Sequence, residues 1–170
     1  VRQRIVVGVS GSPGSLTALH RATAEAQERN AELCAVLAWQ LPGGGLGGRA
    51  TYGAAVLRAC REAAVEELRT ILGSAFAVRR PGVELSGLTV RGEPGSVLVG
   101  AARSADDLLV VGVGTRGRWL PGIRPSVTRY CLAHAKCPVL AVPPNPLEAE
   151  LAAMRGRTWP LPRMAREQER

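Results

Sequence analysis

The sequence predicts an α/β protein built on a doubly wound parallel sheet of five strands. Three observations carry that prediction. Short β-branched and aliphatic runs alternate strictly with stretches whose apolar residues recur at helical spacing, the pattern of a parallel sheet with helices on both faces. The first run, residues 4–10 (RIVVGVS), is apolar on both faces, as a central strand requires. Residues 107–126 (DLLVVGVGTRGRWLPGIRPS) read as a strand that ends in glycines before a further element, the usual way a backbone makes room for phosphate.

The elements follow in order. After the first strand, Ser12 and Pro13 form an N-cap and first-turn pair. Leu16, Leu19, Ala22 and Ala26 then mark the buried stripe of a helix that Asn30 closes. Residues 32–39 (ELCAVLAW) are the second strand. Residues 40–50 hold five glycines and read as a surface crossover, with a lid beside a ligand site as the functional alternative. A helix spans residues 52–76 on Val56, Leu57, Cys60, Ala64, Leu68, Ile71 and Leu72, and its Glu and Arg residues form a solvated face. Residues 82–91 are a third strand, at an edge or bulged because of Gly87. A short helix over 97–104 starts at Pro94 or Ser96, and the fourth strand covers 107–112. Residues 126–135 form a short helix, and the fifth strand runs from Cys137 to Val142, with Pro138 suited to an edge. The domain is expected to occupy residues 1–143. Residues 144–170 form a tail, helical over 147–154 and otherwise disordered.

Composition narrows the function classes. A domain of this size buries roughly two thirds of its unfolded surface and needs no disulfide or metal to hold it. The four cysteines form no CxxC pair and stand at no metal-ligand spacing with His20 or His134. Cys34 and Cys137 lie in strand-like runs and read as buried apolar groups. No apolar run approaches the ~20 residues of a membrane span, and the chain opens on a polar segment, so a reduced, cytoplasmic protein is expected. The formal net charge is +8, almost all of it arginine, and Arg116, Arg118, Arg124, Arg129 and Lys136 cluster without an acid among them. Such a cluster suits an anionic ligand. With only 4% aromatic residues and no nucleic-acid motif, nucleic acid is not the expected partner.

Gly112, Gly114 and Gly117 spell GxGxxG, but after the fourth strand rather than the first. No acid follows before Glu148, which excludes the dinucleotide fingerprint. Residues 10–15 (SGSPGS) partly resemble the SGGxDS loop of the adenylating ATP pyrophosphatases, with Ser12 in place of a glycine and Gly14 in place of the aspartate. No Ser, His and acid are grouped, so no catalytic constellation is visible. Asp106 and Asp107 read as turn or cap residues.

One resemblance spans the domain. IVVGVSGSPGS, GEPGSVLVGAARSADDLLVVG and SVTRYCLAHAKCPVLAV, in that order, resemble the universal stress protein family over about residues 2–143. The resemblance implies a Rossmann-like fold of the adenine nucleotide alpha hydrolase-like kind, with strand order 3-2-1-4-5. It also implies a homodimer through the last strand and a role in stress response or signalling, in which an unidentified protein partner has a place. ATP, with Mg²⁺, is the cofactor it suggests. Carried over residue by residue, the nucleotide site comprises Ser10, Ala38 and Val113, then Gly114, Thr115 and Gly117, and finally Ser126, Val127 and Thr128. Three departures stand out against the binding pattern G-x2-G-x9-G-[ST]. Only eight residues separate Gly117 from Ser126, two fewer than the pattern. Pro125 replaces a glycine; it offers no N–H, has a fixed φ and fills space. Ser10 stands where binders carry an aspartate near the metal. The expected function is therefore a non-catalytic module with nucleotide binding weakened or lost. The alternative is an ATP-binding switch with at most weak hydrolysis. Trp119 has three open roles: covering a ligand, plugging the crevice or meeting a partner.

Overall fold

Ile5, Val6 and Val7 are fully buried, and because successive strand residues face opposite ways, both faces of their strand must be covered. The computed structural model, which describes residues 3–41, 53–113 and 126–146, meets that demand. Its elements are β1 (Arg4–Gly8), α1 (Pro13–Arg29), β2 (Glu32–Trp39), α2 (Ala54–Ala75), β3 (Leu85–Arg91), α3 (Pro94–Ala101), β4 (Leu108–Gly112), α4 (Val127–His134) and β5 (Val139–Val142). All pairings are parallel and the strand order is β3-β2-β1-β4-β5. On one face Ile5, Val7, Leu33, Ala35 and Val110 pack against Ala18, Leu19, Ala22 and Ala26 of α1 and Ala64, Leu68 and Ile71 of α2. On the other, Val6, Cys34, Val36, Leu109 and Val111 meet Val97, Leu98 and Ala101 of α3 and Cys131 of α4. The sheet is doubly wound as the sequence predicts.

Local chemistry sets the boundaries. Ser12 caps α1, its side chain accepting from the Ser15 N–H, and Pro13 occupies the first turn. Asn30 closes the helix in the left-handed conformation, its N–H donating to the Ala26 and Gln27 carbonyls. β2 has the predicted ends. Other elements are shorter than expected. β1 stops at Gly8, two residues early, although the Val9 N–H still donates to Val36 O. β3 starts at Leu85 rather than at position 82, because Gly82 has φ +68° and cannot extend a strand. It is an edge strand whose register runs unbroken through Gly87, so there is no bulge. α3 begins at Pro94 and ends at Ala101, three residues before the predicted end, and β4 starts at Leu108. β5 begins at Val139, because Pro138 has no N–H for a ladder; its carbonyl accepts from Leu109 instead. Cys137 therefore precedes the strand and is only half-buried, while Cys34 is buried as expected. The fully buried thiol is Cys131, which burial pushes up to about 11. His20 and His134 are exposed on helices. The predicted glycine-rich crossover and the tail from 147 onward lie outside the described residues.

Two ionic arrangements sit under the helices. Arg4 Nη2 lies 2.7 Å from Asp107 Oδ2, and Asp107, 3% exposed, also accepts from the Ser104 N–H at 3.0 Å. This ties the start of β1 to the turn before β4, so Asp107 is the structural residue that the sequence suggests. On α1, Glu25 is buried between Arg21 at 2.5 Å and Arg29 at 2.9 Å. Burial pushes the Glu25 carboxyl up, but the hydrogen bonds from Arg29 and Arg21 outweigh it and hold the group below its ordinary 4.5. A carboxyl lowered in the folded state stabilises the fold above its unfolded pKa, and that contribution is lost as pH falls through the folded value. Replacing Glu25 by Gln is expected to cost about 1 kcal/mol at neutral pH, since both arginines are half-exposed and screened. Urea titrations across the acid range should show a smaller stability difference between native and variant protein below pH 4.5 than at neutrality.

Candidate functional site

Three segments converge on Gly112. A Cβ at this position would lie 2.8 Å from the Gly14 carbonyl carbon and 3.2 Å from the Ser15 nitrogen, so only glycine lets β4 end against the first turn of α1. From the other side, Thr128 Oγ1 donates to the Gly112 carbonyl at 3.2 Å and fastens the first turn of α4 to the same residue. β1 leads to α1 on one face of the sheet, and β4 to α4 on the other. The crevice between their carboxyl ends is the switch point of the sheet, where doubly wound proteins bind ligands. Two helix N-termini, neither with an acid in its first turn, face it with the positive ends of their dipoles.

The sequence-derived residues lie along this rim. Gly11 turns the chain at φ +66°, and the exposed Ser10 and Ser12 hydroxyls lie 3.1 Å apart. The Ser10 N–H donates to Ser15 Oγ at 3.2 Å, and the Ser15 hydroxyl donates to the Ser12 carbonyl at 2.9 Å. Ala38 is half-buried in β2, two residues beyond Val36, the partner of Gly8, which brings it level with Ser10. Val113, 38% exposed, donates its N–H to Val142 O at 2.8 Å. Ser126 caps α4, with Oγ accepting from the Arg129 N–H at 3.2 Å. Val127 packs into the α3–α4 core and Thr128 holds Gly112. Gly114, Thr115 and Gly117 lie outside the described residues, as do Arg116, Arg118, Trp119, Arg124 and Pro125.

An open depression of about 500 Å³ is lined by Val113, Ser126, Thr128, Arg129, Leu132 and Ala133. A larger groove of about 650 Å³ runs along α2 from Arg58 to Arg69, but that helix alone lines it and no strand end reaches it. The sequence placed Arg129 in a basic cluster suited to an anion but did not assign Ser12, Ser15 or Leu132 to the site. The spacing Ser12-x-x-Ser15 at a helix start is the signal that would have found the two serines.

Comparison with known proteins places the chain in a family. Residues 2–143 match the model of the universal stress protein family. The chain belongs to that family. A search of curated protein sequences gives no match. Among solved structures, a universal stress protein in complex with cAMP is 28% identical, with a TM-score of 0.60 over 85% of this chain and 99% of that one. A universal stress family protein from Burkholderia pseudomallei is also 28% identical, with a TM-score of 0.58 over 84% and 96%. The universal stress protein from Archaeoglobus fulgidus in complex with dAMP is 25% identical, with a TM-score of 0.52 over 82% and 97%.

The convergence on Gly112 has a measurable cost when it is disturbed. Gly112→Ala in this universal stress protein domain should lower stability by about 1–3 kcal/mol, because the backbone of α1 must shift. It should appear as a lower urea midpoint at unchanged slope. Gly100→Ala, whose Cβ would meet nothing within 4 Å, is the control and should not destabilise.

Proposed function

We propose that this domain is a stress-response or signalling module without turnover, and that its hold on ATP is weakened or lost. The observation that carries the reading is the state of the rim hydroxyls. Thr128 gives its proton to the Gly112 carbonyl, and Ser126 Oγ already accepts from Arg129. The Thr128 proton is therefore committed inside the protein, while the Ser126 hydroxyl keeps its own to donate. The sequence adds that the connection from Gly117 to Ser126 is two residues short of the binding pattern and carries Pro125 in place of glycine. A shorter span with one fewer amide reaches less far around three phosphates.

The same crevice suits a smaller ligand. Relatives at 28% and 25% identity were solved with cAMP and dAMP, each with a single phosphate. The helix N-termini at Ser12 and Ser126 turn their positive ends to one phosphate, although Pro13 offers no N–H and the Ser15 and Arg129 N–H groups are taken by the caps. An adenine mononucleotide is the ligand this reading favours, and the ATP-binding switch with slow hydrolysis is its alternative. Homodimerisation through β5 belongs to the same proposal. β5 is an edge strand whose side chains are only half-buried as far as Ala141, so a second copy has both a ladder and an apolar face to meet.

Heat-denatured purified protein should release little ATP on chromatography, and calorimetry should give AMP or cAMP a higher affinity than ATP. Near-stoichiometric released ATP would overturn the reading in favour of the switch. Replacing Pro125 by Gly and inserting two residues between Gly117 and Ser126 should raise ATP affinity by about tenfold, or about 1.4 kcal/mol. An unchanged titration would place the defect elsewhere, with Ser10 the next position to vary.

A further inference from the structure

The family resemblance implies Mg²⁺ beside the nucleotide phosphates, and the donor set of this crevice does not fit it. Mg²⁺ demands near-octahedral oxygen coordination and is held through one or two carboxylates together with phosphate oxygens. Among the described residues at the carboxyl ends of β1 and β4, the side-chain oxygens are neutral hydroxyls. Ser10 and Ser12 bond to each other, Ser12 Oγ also accepts from the Ser15 N–H, and Thr128 donates to Gly112 O. A neutral hydroxyl supplies no charge against a divalent cation.

The sequence removes the other candidates. No Asp or Glu occurs in residues 1–24, 33–61 or 108–147, so the segments leaving β1, β2 and β4 contain none. Glu93 does follow a strand end, but it stands at the start of α3 after the edge strand β3, which β2 separates from β1. Among the described residues no group of three or more His, Cys, Asp and Glu could hold a metal ion. Positive charge, by contrast, is built into the rim. The N-termini of α1 and α4 meet there, and the exposed Arg129 lines the depression beside Ser126 and Thr128.

We infer that this crevice takes its nucleotide without a divalent cation, with helix N-termini and arginine supplying the countercharge that Mg²⁺ would otherwise bring. The inference rests on the nucleotide reading above and adds the electrostatic form of the ligand. A mononucleotide fits that form, because its one phosphate needs far less compensating charge than a triphosphate.

The cation and the nucleotide can be tested separately. Titrate the purified protein with Mn²⁺, alone and with AMP, and follow the free-ion signal by electron paramagnetic resonance. The protein should remove no Mn²⁺ beyond what AMP itself binds. Ser10→Asp places a carboxylate at the end of β1 and should create Mn²⁺ uptake, whereas the uncharged Ser10→Asn should not. Calorimetric AMP titrations in Mg²⁺ and in EDTA should agree within about twofold. Near-stoichiometric Mn²⁺ uptake by the native protein, or an AMP affinity about tenfold weaker in EDTA, would overturn the cation-free site while leaving nucleotide binding standing. Absence of AMP binding in both buffers would overturn the nucleotide reading, and this inference with it.

Discussion

The close approach of Gly112 to the backbone of Gly14 is the contact on which the carboxyl end of the sheet depends. Without a side chain there, β4 ends against the first turn of α1, and Thr128 then draws the first turn of α4 onto the same carbonyl. Two helices that belong to opposite faces of the sheet thus begin at one residue. A switch point is a topological statement about strand order; here it has a physical centre, set by backbone packing and one hydroxyl bond. The apolar core below, with Ile5, Val7 and Val110 fully buried on one face and Val6 and Leu109 on the other, holds β1 and β4 rigid enough for that contact to be specific.

Charge is distributed unequally between the two ends of this sheet. At the amino end, Arg4 and Asp107 neutralise each other, with the Ser104 amide completing the acid's bonding. At the carboxyl end, the connections that follow β1, β2 and β4 contain no acids, and Arg129 stands in the first turn of α4. The arginine-rich composition, uninformative as a total, becomes meaningful once the fold separates these ends. An anion is attracted to the face where the helix dipoles also point.

Much of the fold was legible in the sequence because its signals are local. Ser12, Pro13 and Asn30 define α1 through capping chemistry that acts within four residues. The burial of Ile5 to Val7 follows from a run with no polar face. The misjudged boundaries come from backbone states that residue type alone leaves open: the left-handed φ of Gly82, and the missing donor of Pro138. The site was legible to the extent that strand order places Ser10, Ala38 and Val113 on one rim. What the sequence could not reveal was which partner each hydroxyl takes. Thr128 reaches back 16 residues to Gly112, and the Ser10–Ser12 pair depends on the turn at Gly11. The burial of Cys131 rather than Cys137 depends in the same way on how α4 settles against α3, a tertiary choice.

The Arg4–Asp107 tie spans 103 residues of chain, and β1 pairs with β4 across the same interval. The contacts of β1, α1, β2 and β3 are closer in sequence. Joining β4 to β1 closes a loop whose entropic cost rises only slowly with length, by about 0.6 kcal/mol per doubling, yet it must be met before any long-range contact compensates for it. The crevice lies on the seam between β1 and β4. The local elements, α1 with its cap and its buried Glu25 among them, do not by themselves make the crevice. The crevice thus needs the long-range pairing of β1 with β4 as well as the local elements.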